Sequence, residues 1–174
     1  MVLILKDKNY KLGWTIKARF SIHLHKKDLT ILELIKSSLN GVGNISKGKD
    51  SVQYRVASIP ELTNIIIPHF IKYPLITQKQ ADFLLFKKAI ELINNKEHLT
   101  LPGLSKILSI KASMNLGLSK ILKEKFIDII PVERPKRSDK DLLNSKINPN
   151  WMVGFTDAEG CFNVSIVKRN SNGL

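Results

Sequence analysis

The clearest pattern along the chain is the strict alternation in "WTIKARFSIHLHK", residues 14–26. Trp14, Ile16, Ala18, Phe20, Ile22 and Leu24 alternate with Thr15, Lys17, Arg19, Ser21, His23 and His25. A period of two predicts a strand with one buried and one polar face. The polar face carries cations and hydrogen-bonding groups but no acid. "VLILK" before it reads as a partner strand, joined through "DKNYKLG" with Gly13 near its end. A second hairpin is predicted in "GNISKGKDSVQYRVASI", where Val52, Tyr54 and Val56 face one way and Ser51, Gln53 and Arg55 the other.

Between and after the hairpins the spacing turns helical. "DLTILELIKSSLN" (28–40) places Leu29, Leu32, Ile35 and Leu39 near one stripe, with Asn40-Gly41 as a stop. "PELTNIIIPHFIKYP" predicts a helix opened by Pro60 and interrupted by Pro68. In the next helix Thr77 and Gln80 have capping-box spacing, and Ala81, Leu84, Leu85 and Ile93 form part of an apolar face. "LPGLSKILSIKASMNLGLSKILKEKF" holds two short helical patterns separated around Asn115–Gly117. Residues 127–148 turn Pro-, Lys- and Arg-rich and read as a linker.

This order predicts an α+β fold: an antiparallel sheet with helices over its apolar face. The other face is then open and positively charged, and a ribbon of that kind can lie in the DNA major groove. The alternative is an ordinary solvated sheet face. His23 and His25 have a spacing that metal ligands use, but no third ligand stands near them in sequence.

Charge sharpens the choice. The 174 residues hold 28 Lys and Arg against 15 Asp and Glu, a formal net charge of +13. Such an excess concentrates polyanions, so nucleic acid is the first partner to consider and an anionic membrane surface the second. The hydrophobic fraction of 43% is that of a folded protein. A single cysteine, Cys161, excludes an internal disulfide and any Cys-based zinc site. No apolar run approaches the roughly 18 residues of a membrane span. The opening "MVLILKDKNY" is too short in its apolar run for a signal peptide.

Near its end the chain echoes its start: "NVSIVK" (163–168) aligns with "MVLILK" (1–6). Just before the echo stands "NPNWMVGFTDAEGCF" (148–162). Asn148 is a good N-cap, Pro149 fits the first turn, and Gly160 stops the helix after Glu159. Gly154 and Ala158, four apart, leave a bare face onto which a second helix can pack closely. Asp157 and Glu159 lie at the negative end of the helix dipole, which disfavours an anion by about 0.3–1 kcal/mol. A divalent cation or a cationic partner offsets that cost; solvated acids on a plain amphipathic helix are the alternative.

"WMVGFTDAEGCF" resembles the signature of the LAGLIDADG homing endonucleases. Met152 to Gly160 align without gaps, with Gly154 as the family's glycine, Asp157 its first acid and Glu159 its second. Residues 69–93 and 108–126 resemble segments that recur downstream of the motif in the monomeric, two-repeat branch. The resemblance implies an αββαββα repeat with a four-stranded saddle sheet, incomplete here, plus the start of a second repeat. Residues 1–126 would form the first repeat without its motif helix, 127–148 the linker, and 149–174 the second motif helix and first strand.

The resemblance also implies a metal-dependent DNA endonuclease using Mg²⁺ or Mn²⁺. Glu159 would be the metal ligand and Lys79 a lysine near the scissile phosphate, with Asp157 structural. Contacts to double-stranded DNA at an intron-insertion site would come from Lys17, Arg19, Ser21, His23, Gln53, Arg55, Asn163 and Ser165, with Cys161 beginning the second row. A complementary half or a second copy would complete the site. An RNA-splicing maturase acting on the host intron RNA and an inactive nucleic-acid-binding remnant are the alternatives. Richness in Ile, Asn and Lys together with the family implies an organelle-encoded protein, of the mitochondrion before the chloroplast, and no membrane partner.

Overall fold

A computed structural model of the chain describes residues 1–136, 147–160 and 163–164. It divides into two compact units, Met1–Lys136 and Arg137–Leu174. The first contains strands β1 (Val2–Lys6), β2 (Trp14–Ala18), β3 (Phe20–His25), β4 (Asn44–Lys47) and β5 (Ser51–Val56). Its helices are α1 (Leu29–Ser38), α2 (Ile59–Glu61), α3 (Ile67–Lys72), α4 (Lys79–Asn94), α5 (Leu101–Ala112) and α6 (Lys120–Lys125). In the second unit the described element is α7 (Pro149–Glu159).

The architecture is α+β with antiparallel pairing throughout. The single strand expected over residues 14–26 is divided at Arg19. Its first half, β2, pairs with β1, and its second half, β3, pairs with β5, so a two-stranded ladder β1-β2 and a three-stranded sheet β3-β5-β4 replace one four-stranded sheet. Alternation fixes which face a side chain takes but not which neighbour the backbone bonds, and here the partner changes partway along. Thr15, expected on the polar face, is 5% exposed and belongs to the interior.

The apolar face carries Val2, Ile4, Ala18, Val52, Tyr54 and Val56 into one core with the helices. On α4 the buried residues Ala81, Leu85, Phe86, Ala89, Ile90 and Ile93 recur at helical spacing, whereas Leu84 is 36% exposed and lies off that stripe. From α1 and its C-cap come Leu32 and Leu39, and from α5 Leu104, Ile107, Leu108 and Ile110. An aromatic series ties sheet to helices: Tyr54 meets Phe20 at 6.3 Å, Phe20 meets Phe70 at 5.5 Å and Phe70 meets Phe83 at 5.7 Å between centroids.

Three local expectations change. Pro68 does not break its helix: α2 runs through a π-helical turn, Leu62–Ile66, directly into α3, where Pro68 follows Ile67 in the first turn. The widened turn makes room for the ring and its missing N–H. At the start of α4, the Thr77 hydroxyl accepts from Lys79 N at 3.3 Å. The cap residue is Gln78, with no side-chain cap bond, so the expected Thr77–Gln80 box does not form. Residues 131–134, expected as linker, lie against α5: Val132 N donates to Ser109 O at 3.2 Å and Ser113 Oγ to Val132 O at 2.5 Å.

Candidate nucleic-acid interface

The polar face of the sheet is ordered by the ladder register. Ser21 lies opposite Arg55 and Arg55 opposite Asn44; His23 lies opposite Gln53 and Gln53 opposite Ser46. Lys17 of β2 is paired with Leu3 of β1. Side chains on one face of a strand repeat every ~6.8 Å, about twice the 3.4 Å step of a DNA strand. A row of this kind presents donors and acceptors at the spacing of alternate base pairs.

None of the five strands contains an Asp or a Glu. The carboxylate of Asp50, in the β4–β5 turn, is already taken by Lys26 at 2.8 Å. Lys17, His23 and Arg55 are exposed, and Arg19, Ser21 and Gln53 half-buried. Arg55 Nη2 donates to Gln53 Oε1 at 2.7 Å, which holds the guanidinium over the face and leaves its other donors open. His25 is engaged in the backbone instead: its Nδ1 accepts from Lys27 N at 3.2 Å.

Arg19 occupies the break between β2 and β3. Its N donates to Met1 O at 2.9 Å, prolonging the β1-β2 ladder by one pair. Among the described residues its Nε is buried with no hydrogen-bond partner, and Nη2 reaches the weak acceptor Met1 Sδ at 3.5 Å. A buried cationic donor without an acceptor is costly, and a phosphate oxygen is the kind of group that satisfies it. Around this end of β1 the charges gather. Burial first, then Arg19, Lys111 and Lys79, push the Met1 amino group down to about 6, against the opposing pull of Asp82. Lys79, the first residue of α4, is exposed and has no side-chain partner among the described residues.

The motif helix is formed as its sequence requires. The Asn148 side chain accepts from Asn150 N at 2.8 Å and Pro149 stands in the first turn. The helix ends at Glu159, but Gly160 adopts extended backbone, φ −78°, not the left-handed form. Glycine is needed there for proximity: an added Cβ would lie 2.5 Å from Thr156 O. At Gly154 an added Cβ meets nothing within 4 Å, so the bare face is open. Asp157, Ala158 and Glu159 are exposed, and Trp151 stacks on Phe155 at 5.0 Å. Asn163 is exposed and outside any strand, while Cys161 and Ser165 lie outside the described residues.

Asn44 and Ser46 belong to the same polar face and escaped the sequence reading. Strand β4 is four residues long with one apolar position, Ile45, too short to show alternation. The signal was in the turn: pairing Lys47 with Val52 fixes the register that puts Ser46 beside Gln53 and Asn44 beside Arg55.

Comparison with known proteins agrees with this geometry. Residues 1–90 match the family model described as LAGLIDADG endonuclease. A Neurospora crassa protein named probable intron-encoded endonuclease 3 is 45% identical over 172 residues, covering 98% of this chain and 32% of its own length. The crystal structure of the I-SmaMI LAGLIDADG homing endonuclease bound to cleaved DNA superposes with a TM-score of 0.87 at 44% identity, over 99% of this chain and 56% of that one. The same enzyme bound to an uncleaved DNA target in the presence of calcium ions gives 0.86 at 44% identity, over 99% and 57%. The chain spans about a third of the length of the curated relatives it matches and a little over half of these solved chains. By its fold, its polar sheet face and these matches, the chain belongs to the LAGLIDADG endonuclease family.

Proposed function

We propose that this chain forms part of an intron-encoded, site-specific endonuclease that hydrolyses phosphodiester bonds of double-stranded DNA at an intron-insertion site. The observation that carries this reading is the carboxylate-free sheet face, on which Ser21, Arg55 and Asn44 form one row and His23, Gln53 and Ser46 the next. Arginine, glutamine and asparagine are the side chains that bond two atoms of one base edge at once, and the ribbon has the width of a major-groove reader. Lys17 and Arg19 supply phosphate contacts at the β1-β2 end, and Asn163 and Ser165 would begin the corresponding row in the second repeat.

The chemistry is assigned to Glu159 and Lys79. A carboxylate at a helix C-terminus, without a cation partner among the described residues, suits an oxygen ligand of a hard divalent ion such as Mg²⁺ or Mn²⁺. Among the described residues no group of three or more His, Cys, Asp or Glu gathers; Glu159 would supply one ligand, and a second motif helix, water and DNA phosphate would supply the others. When bound, such an ion lowers the pKa of its water and offsets charge developing on the phosphate. Lys79 holds its ammonium toward a phosphate oxygen and favours the more negative transition state. Gly154 and Ala158 are the seam for the second helix, which comes from a complementary half or a second copy of the chain.

The intron-encoded relatives and the wealth of Ile, Asn and Lys support an origin in a mitochondrial genome. The test is cleavage of a plasmid carrying the insertion site, by the reading frame that contains this chain, with Mg²⁺ or with chelator. Site-specific double-strand cutting that needs the metal and falls by about 10²–10³-fold or more in Glu159→Gln is expected. No cutting by the wild type, with intron splicing that survives Glu159→Gln, would overturn the nuclease reading in favour of an RNA-splicing role.

A further inference from the structure

Arg134 lies in the extended stretch after α6, yet its side chain is held at three points. Nη1 donates to Asp82 Oδ1 and to Ser113 O, both at 2.8 Å, and Nη2 donates to Gln78 O at 3.0 Å. These acceptors come from the first turn of α4, the C-cap of α5, and the residue directly before Lys79. Asp82 Oδ1 also accepts from Asn115 N at 2.9 Å, and its carboxylate side chain is 14% exposed.

Asp82 stands three residues after Lys79 on the same helix, the spacing at which an acid and a lysine on adjacent turns meet. Lys111 also feels the charge of Asp82, and its Nζ is bonded to Gly117 O at 2.7 Å. Arg134 is therefore fixed on Asp82 and Lys111 on a carbonyl, while the Lys79 ammonium has no bonded partner among the described residues. Burial works to raise the Asp82 pKa, but the hydrogen bonds from Arg134 and Asn115 outweigh it and hold the group below its ordinary value. Both bonds reach Oδ1, so an ionised Asp82 without Arg134 would keep the Asn115 N–H on that oxygen but lose its neutralising cation, with the Lys79 charge acting on it from the same helix.

We propose that Arg134 is a positioning residue for Lys79: by occupying Asp82 and gripping Gln78 O, it keeps the carboxylate from drawing the lysine ammonium back onto α4 and leaves it free for a phosphate. The inference rests on the nuclease reading, in which Lys79 meets the scissile phosphate. It differs from a structural clasp in one consequence. If the clasp matters only for folding, removing both partners is at least as harmful as removing Arg134. If it shields Lys79, removing the carboxylate as well releases the lysine.

The experiment compares single-turnover cleavage by wild type, Arg134→Met, Asp82→Asn and the double variant Arg134→Met/Asp82→Asn, in the reading frame that contains this chain. Arg134→Met is expected to slow the cut by roughly tenfold to a hundredfold, the loss that follows from displacing a positioned group. Asp82→Asn should stay within about threefold of wild type although its Tm falls, and the double variant should recover most of the rate lost by Arg134→Met. Nitrogen-15 NMR of the Lys79 ammonium in the 174-residue chain provides a readout without catalysis. Its resonance should move in Arg134→Met and return in the double variant. Arg134→Lys, which keeps one cationic donor, serves if the methionine variant does not fold and should lie between wild type and Arg134→Met. A double variant no faster than Arg134→Met, or a Lys79 resonance that Arg134 substitution leaves unmoved, would overturn the inference. Should the wild type not cut at all, the nuclease reading fails by itself and the resonance decides the shielding of Lys79.

Discussion

On the sheet, Arg55 has Ser21 on one side and Asn44 on the other, and its neighbours in sequence, Tyr54 and Val56, are fully buried. Glu159 ends a helix on which Met152, Val153 and Phe155 are 58%, 57% and 45% exposed. The ladder and core determine where each sheet side chain stands, so the face proposed to read DNA is completed within the first unit. Neither does that for the motif acid. The proposed recognition rests on the first unit alone, whereas the proposed hydrolysis needs a second helix on the Gly154 face. The difference matches the two kinds of chemistry: base reading tolerates modular pieces, while charge stabilisation at a phosphate requires ligands from more than one side.

The largest way to break the contrast is to damage the core beneath the sheet. Leu32 is fully buried, and Leu32→Ala is expected to cost about 2–5 kcal/mol of folding stability. Thermal unfolding and DNA affinity should then fall together. A variant that loses stability but keeps its affinity above its new Tm would detach recognition from the fold. A smaller effect is expected at the face itself: Arg55→Ala should lose about 1–3 kcal/mol of discrimination at one base-pair position. Its Tm should be nearly unchanged, because Arg55 is exposed and its side-chain partner among the described residues is Gln53.

The smallest effect concerns pH. Asp82 has a folded-state pKa below its unfolded value, so it adds stability fully above the ordinary carboxylate value of about 3.9, and that stability is lost as pH falls through the lower folded value. Thermal unfolding from pH 6 down to pH 2 should show wild type losing stability in the acid range, with Asp82→Asn flatter over that range. Equal slopes would mean that Arg134 and Asn115 do not stabilise the ionised form.

Which parts were legible in the sequence follows from the range of the forces involved. The polar face of β2 and β3 was, Thr15 excepted, because alternation over twelve residues fixes it, and so were the cap at Asn148 and the helix end at Glu159. The change of partner at Arg19 was not, since hydrogen-bond pairing leaves no trace in a period of two. Asn44 and Ser46 were missed because β4 offers one apolar residue to set a phase. The Arg134 clasp joins residues 52 positions apart, and a bond from a Pro-rich stretch to the start of α4 has no local signature. Pro68 read as a break because the π-helical turn that accommodates it depends on the core around Leu62 and Ile66.

Affinity and cleavage rate measured side by side on Arg55→Ala and Glu159→Gln, in the reading frame that contains this chain, test the division between sheet and helix most directly. Arg55→Ala should bind its site more weakly and cut at near the wild-type rate once bound. Glu159→Gln should bind within about twofold of wild type and cut at least about a hundredfold more slowly. If both variants lose affinity, or both lose rate at saturation, recognition and chemistry are not divided between the sheet face and the motif helix.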